Sequence, residues 1–346
     1  MPWHGSPLNV AEGAPRMMPT GPGGAAWRPA TLATVAGLAA FVVGTAAESV
    51  IIRAVHGNRL ELEWLSDAVI SMGVAGITYL WVHLNASRTR LLTLEQEQIV
   101  IDEQLRLAAE IQRGLLPEVP RATTGFRWAA RMIPASRIGG DFYDFFQPTA
   151  GTVLVILGDV SGKGIPAALI LSSLKTLFRT FARETVDPAA IAERMSEALH
   201  EEFAGMPYAT AIVARFETAP GRLACVNAGH PPAYLLRNGA VGASLDSGGR
   251  PLGLLAGATY ETDHVELSPG DIGVLVTDGI TEALEAGPET LSQTLGGLRG
   301  RLTAGSSPAE ICDDLLRAAA AGPGPAGVPD WQDDRTVFVF AVEPSQ

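Results

Sequence analysis

The chain changes texture along its length. Residues 1–28 are rich in Pro, Gly and Met and have no periodicity, which predicts a disordered lead. Residues 29–52, PATLATVAGLAAFVVGTAAESVII, are apolar apart from Glu48 near the far end. At about 1.5 Å per residue, such a run crosses a hydrocarbon core of about 30 Å. Residues 64–84, WLSDAVISMGVAGITYLWVHL, form a second run. Asp67 lies near its start, and Trp64, Tyr79 and Trp81 lie towards its ends, where membrane-interface aromatics sit. Gly37, Ala40, Gly44, Gly73 and Gly76 would let two helices approach closely. The pattern predicts a two-helix transmembrane hairpin in a multi-pass cell-membrane protein. The alternative is a pair of buried soluble helices, but no other core lies nearby to bury them. Residues 53–63 between the runs are too few for a sensor domain. Arg16 and Arg28 before the first run, with Arg88 and Arg90 after the second, favour both ends in the cytoplasm.

Residues 85–116 read as one long polar helix, ended by Pro117 and Pro120. Leu91, Leu94, Ile101, Leu105, Ala108 and Leu115 fall on alternating steps of three and four, with Gln98 and Gln112 in the same seam. This short heptad pattern predicts either a homodimer through residues 85–116 or an amphipathic helix packed on its own domain. From about 121 the texture changes again, and apolar runs alternate with Gly, Asp and Pro turns. Strands are expected at 126–132, 152–158, 209–216, 222–227, 233–237, 272–277 and 335–342. Helices are expected at 165–182, 188–204, 288–302 and 307–321, and a flexible loop at 322–332. These predict four regions: the lead (1–28), the membrane helices (29–84), a linker helix (85–120) and an α+β layered domain (121–346).

Composition narrows the reading. A mean hydropathy of +0.19 agrees with part of the chain leaving water. A formal net charge of −12 argues against nucleic-acid binding, which needs a basic face. Two cysteines, Cys225 and Cys312, are too few for a disulfide framework and read as reduced, buried thiols.

The stretch LGDVSGKGIPAAL, residues 157–169, resembles a phosphate loop but has the wrong spacing: three residues separate Gly158 from Gly162, and Gly164 stands where Ser or Thr would hold magnesium. Asp159 instead ends an apolar run, before a Gly-rich turn into a helix. Asp141 follows a Gly-Gly turn in GGDFYDFF, Asp278 ends the run in IGVLVTDG, and Asp333 and Asp334 precede the last run. One such Asp is commonly a turn former or helix cap. Four acidic spots brought together would repel by about 4 kcal/mol per close pair at an effective dielectric of ~20. Hard divalent cations would relieve this, and oxygen ligands suit Mg²⁺ or Mn²⁺. The scarcity of His and Cys argues against zinc.

In order, AAEIQRGLLP, GGDFYDFF, GDVSGKGIPAAL, ATAIVARF, NAGHPPAYLL, PLGLL, LSPGDIGVLVTDGITEA and DDRTVFVF resemble the SpoIIE/RsbU-type serine phosphatases, the bacterial branch of the metal-dependent PPM (PP2C-like) protein phosphatases. The resemblance covers residues 105–343. It implies a β-sandwich of two antiparallel sheets flanked by helices, with Mn²⁺ or Mg²⁺, two per active site, at one end. By motif, Asp159 bridges both metals, with the Val160 carbonyl and Asp141 on one side. Asp278 and Asp333 hold the other metal, with Asp334 the second choice for Asp333. The catalytic residues implied are Asp159, Asp141 and Asp278. The implied reaction is metal-dependent hydrolysis of phosphoserine or phosphothreonine by water, with a phosphorylated anti-sigma-factor antagonist as the typical substrate. Residues 112–117 would belong to a regulatory linker.

Other chemistry-bearing residues read as structural. His230 in NAGHPP is a turn residue between strands, and Ser161 has no partner base in its motif. Lys163 is a solvated or capping group or a phosphate contact, Arg137 could face the cleft, and Glu282 fits a helix start beside Asp278. Two further functions compete with the phosphatase: a silent scaffold that binds the same partner, and a nucleotide-binding signalling protein, which the failed phosphate loop disfavours.

Overall fold

A computed structural model describes residues 60–343, apart from 163, 219–220, 239, 247, 285–294, 296–306 and 323–332, together with a few positions between 37 and 51. The expected lead, most of the first apolar run, most of the helix at 288–302 and nearly all of the loop at 322–332 lie outside these residues. The chain forms two compact units, residues 1–100 and 101–346.

The first long element is α1 (Leu60–Leu115). It begins inside the expected loop and shows no break between the second apolar run and the linker helix. The reason is in the sequence: no Gly or Pro occurs between Ile77 and Arg113. Among the described residues one stretch, Ala68–Leu115, is long and apolar enough by length and composition to cross a membrane, and its apolar window is not buried.

The second unit continues with β1 (Ala122–Thr123), β2 (Phe126–Ile133), β3 (Asp141–Thr149) and β4 (Thr152–Val160), then α2 (Ile165–Glu184) and α3 (Pro188–Phe203). Six strands follow: β5 (Ala209–Glu217), β6 (Arg222–Ala228), β7 (Ala233–Arg237), β8 (Ala240–Leu245), β9 (Asp263–Glu266) and β10 (Ile272–Val276). The short helix α4 (Asp278–Ala283), the helix α5 (Pro308–Ala321) and β11 (Arg335–Val342) complete it. One sheet has the order β1-β2-β11-β10-β7-β8 and the other β3-β4-β5-β6-β9. Every pairing is antiparallel.

Alternation along the strands builds the layers, because successive side chains point to opposite faces. Val153, Val155 and Leu157 of β4 enter the core between the sheets, with Trp128, Phe216, Phe338 and Phe340. Leu154 and Ile156 turn outward onto α2 and α3. That is why residues 152–158 read as an unbroken apolar run: both faces of the strand are covered. Ala167, Ile170, Leu171, Leu174, Phe178 and Ala182 form the facing stripe of α2 at helical spacing. Likewise Val337, Val339 and Ala341 of β11 turn outward onto Ile311, Cys312, Leu315 and Leu316 of α5. Both cysteines are free and buried, and burial pushes each thiol up to about 12.

Candidate metal centre

The same alternation places the acidic residues. Asp159 shares the parity of Val155 and Leu157, and Asp141 shares that of Tyr143, so both side with the inner face of their sheet. Thr277 and Thr336 stand in the same relation to Leu275 and Phe338 on the opposite sheet. Asp141 and Asp159 are direct register partners in the β3–β4 pair. At this end of the inter-sheet core, carboxylate oxygens of Asp141, Asp159 and Asp278 lie within 4.8 Å of one another.

Asp141 is buried, and its Oδ2 accepts hydrogen bonds from Thr277 Oγ1 at 2.8 Å and Thr336 Oγ1 at 2.5 Å. The backbone N–H of Thr336 donates in turn to Thr277 Oγ1 at 3.0 Å. The other oxygen, Asp141 Oδ1, is buried and has no hydrogen-bond partner among the described residues. Burial, then the charge of Asp159, pushes the Asp141 carboxyl well above the usual range, against the pull of the two hydroxyls. Asp159 is pushed up to about 8, first by burial and then by Asp278, Asp333 and Asp334. Such groups hold their charge only beside a counter-charge. Oxygen donors alone, with one oxygen orphaned, fit a hard divalent cation.

Two glycines make the approach possible. A Cβ on Gly140 would stand 2.5 Å from Asp159 Oδ1 and 2.9 Å from the Val160 carbonyl oxygen. A Cβ on Gly139 would stand 2.4 Å from Asp334 Oδ2. The Gly-Gly pair therefore leaves room for oxygen atoms.

The doubled Asp divides into two environments. Asp334 Oδ1 accepts from the Ala135 N–H at 2.7 Å and Oδ2 from the Gly140 N–H at 2.6 Å, so its carboxylate ties down the loop before β3. Backbone amides thus engage both of its oxygens. Asp333 Oδ1 accepts from the Asp334 N–H at 3.0 Å, and its charge is felt at Asp159. Neither belongs to the three-carboxylate group. The Val160 carbonyl lies beside Asp159 at the Gly140 gap.

Sequence reasoning missed Thr277 and Thr336. Their signal was a Thr immediately before Asp278 and another in DDRT, at inward parity. Arg137 is engaged by the long helix: its guanidinium bonds the Asp102 carboxylate and carbonyl, both at 2.8 Å. Ser161 clamps a loop, donating its N–H to the Tyr208 carbonyl while its Oγ accepts from the Tyr208 N–H. Lys163 lies outside the described residues.

Residues 149–343, more than half of the chain, match the family of Stage II sporulation protein E (SpoIIE). The chain belongs to the SpoIIE family. Asp141 lies just before the matched region; Asp159, Asp278 and Asp333 lie within it. Protein IcfG of Synechocystis is 26% identical over 239 residues, covering 61% of this chain and 37% of IcfG. Phosphoserine phosphatase RsbU of Bacillus subtilis is 26% identical over 191 residues, covering 55% of this chain and 57% of RsbU. The chain thus matches about half or less of the length of these relatives. The PP2C domain of SiaA from Pseudomonas aeruginosa superposes with a TM-score of 0.60 at 22% identity, over 71% of this chain and 99% of that domain. That likeness bears out the PP2C-like α+β fold of two antiparallel sheets with helices.

Proposed function

We propose that the chain is a metal-dependent phosphoprotein phosphatase that hydrolyses phosphoserine or phosphothreonine. The observation that carries this reading is the convergence of Asp141, Asp159 and Asp278 within 4.8 Å, with Asp141 Oδ1 buried and unpartnered. Asp159, Asp141 and the Val160 carbonyl would hold one Mn²⁺ or Mg²⁺, and Asp159, Asp278 and Asp333 a second. When bound, such ions would supply an activated water and would neutralise charge that develops on the phosphoryl oxygens. The residues do the rest. Thr277 and Thr336 fix the Asp141 carboxylate so that its free oxygen keeps one direction. Asp334 holds the Gly140 amide, which keeps the loop clear of Asp159. No protein nucleophile is needed, and both cysteines are inert at a pKa of about 12.

The substrate in this reading is a phosphorylated anti-sigma-factor antagonist, a small single-domain protein. Support comes from membership of the SpoIIE family and from relatives named phosphoserine phosphatases. In the same reading the protein is anchored in the cell membrane by a helical hairpin, with the catalytic domain in the cytoplasm. Val69, Ile70, Met72, Ile77 and Leu80 are exposed on α1, as a membrane-facing helix requires. Leu91, Leu94 and Ile101 are exposed further along, which supports a homodimer through residues 85–116.

Turnover of an aryl phosphate by the full chain tests the enzyme reading. Hydrolysis with Mn²⁺, abolished by EDTA and by Asp159→Asn, is the expected result. Manganese binding without turnover of either the aryl phosphate or a phosphoserine protein would favour the scaffold.

A further inference from the structure

The Asn227–Pro232 stretch, NAGHPP, carries the chain from β6 in one sheet to β7 in the other. Asn227 Oδ1 accepts from the His230 N–H at 2.7 Å, and Asn227 Nδ2 donates to the His230 carbonyl at 2.8 Å. Gly229 adopts φ +70°, and a Cβ there would stand 2.8 Å from the Pro251 ring. One side chain thus grips the backbone of His230 from both sides and sets where its ring goes.

The ring is 5% exposed. Its Nδ1 lies 2.9 Å from Thr210 Oγ1, and its Nε2 is buried with no partner of hydrogen-bonding geometry among the described residues. Burial drives the imidazole down to about 3, and the Val276 carbonyl is the group that favours protonation. A neutral imidazole therefore stands against Thr210 of β5. Thr210 on β5 is the register partner of Asp159. Val276 ends β10 and immediately precedes Thr277, which bonds Asp141, and Asp278. Nothing in the reaction uses this histidine, yet it holds the residue that lies across the sheet from Asp159.

We infer that His230 is a positioning residue that fixes the Asp159 end of β4 by holding Thr210, its register partner on β5. This rests on the metal reading of the site. Groups that orient ligands from outside the coordination sphere commonly change metal affinity by about 10–100-fold when removed. The bond reaches only the end of β5 beside Asp159, so its loss would loosen the cation site more than the core, which is packed by other side chains.

The test is calorimetric titration of the full chain with Mn²⁺ alone, beside thermal melting of the metal-free protein. His230→Leu keeps bulk and removes both ring nitrogens. His230→Asn restores a polar atom near the Nδ1 position, and His230→Gln places its amide near Nε2. The inference predicts Mn²⁺ affinity at least tenfold weaker in His230→Leu, recovered in the Asn variant and not in the Gln variant. Leucine-variant affinity equal to that of the unaltered chain overturns it, and so does equal affinity in the Asn and Gln variants, the pair that decides the matter if the Leu variant does not fold. Failure of the unaltered chain to bind Mn²⁺ would instead overturn the metal reading on which the inference stands.

Discussion

Gln112, near the end of the long helix, brackets Gly139: its Nε2 donates to the Gly139 carbonyl at 2.6 Å and its Oε1 accepts from the Gly139 N–H at 3.2 Å. Gly139 is followed by Gly140, whose N–H is held by Asp334, and then by Asp141. One buried amide thus joins the helix to the backbone that carries a candidate metal ligand. Gln112→Ala leaves a buried N–H and a buried carbonyl without partners, each costing about 1–3 kcal/mol. The expected result is a chain destabilised by about 2 kcal/mol in urea unfolding. Its turnover should fall more steeply than its folded fraction at the assay temperature. Turnover that simply follows the folded fraction would mean that the bond holds the helix and does not shape the site.

Gly140→Ala places a methyl group 2.5 Å from Asp159 Oδ1 and 2.9 Å from the Val160 carbonyl. The backbone there does not need a left-handed conformation, so the cost is one of space. The carboxylate or the loop must move by several tenths of an ångström. The variant is expected to fold, to lose at least tenfold in Mn²⁺ affinity and to lose turnover with it; equilibrium titration followed by rate measurement at saturating metal checks both. Wild-type affinity in this variant would show that Asp159 meets the cation from another direction.

The legible parts of the sequence were those where one physical rule acts alone. Strands β4, β5 and β11 stood out because both of their faces are covered, which leaves long apolar runs. Strand β3 was missed because DFYDFFQPT carries two Asp and a Pro. Its alternation, with Phe142 and Phe146 on the helices and Tyr143 in the inter-sheet core, makes sense only once its partner is known. β8 and β9 are short outer strands with exposed alternate positions, the weakest kind of signal. The acidic residues were each visible at a strand end. That three of them meet was not, because the bond from Thr277 to Asp141 spans 136 residues, and only the pairing of sheets closes that distance. The split between Asp333 and Asp334 was likewise unreadable, since it depends on which carboxylate meets the Ala135 and Gly140 amides.

Asp144 tests a different interface. It points from the outer face of β3 to α2, where Arg179 binds it at 2.7 and 2.8 Å and Lys175 Nζ approaches to 3.7 Å. Lys175 also donates to the carbonyls of Leu115, at the end of α1, and Tyr143. Burial draws the Lys175 ammonium down to about 8, with Asp144 opposing. Removing one partner from a buried ion cluster commonly costs about 3–5 kcal/mol. Asp144→Ala is therefore expected to destabilise the fold by an amount in that range. Adding Lys175→Met should recover part of the loss, because the stranded charge goes with it. A double-mutant cycle in urea reads this, and strict additivity would contradict the coupling.

The carboxylate cluster also predicts how stability varies with pH. Burial and the neighbouring carboxylates push Asp159 up to about 8 in the metal-free fold, far above the usual carboxylate range, and Asp141 is raised in the same direction. For these carboxyls the native state binds more protons than the unfolded chain above about pH 4, while buried His230, drawn down to about 3, acts in the opposite sense below about pH 6.5, so stability falls most clearly as pH rises from about 6.5 to 8. The metal-free protein should melt at a lower temperature at pH 8 than at pH 6, and Asp159→Asn should flatten the slope. Mn²⁺ should reverse it. The cation takes the place of the protons, so its stabilising effect grows with pH, and its binding at pH 6 should release protons to the buffer. Melting curves at four pH values, with and without Mn²⁺, measure both slopes. A metal-free chain whose stability is level from about pH 6.5 to pH 8, above the range where His230 contributes, would mean that the carboxylates are already neutralised by other charges in the fold, and the need for a cation at this end of the sandwich would disappear with it.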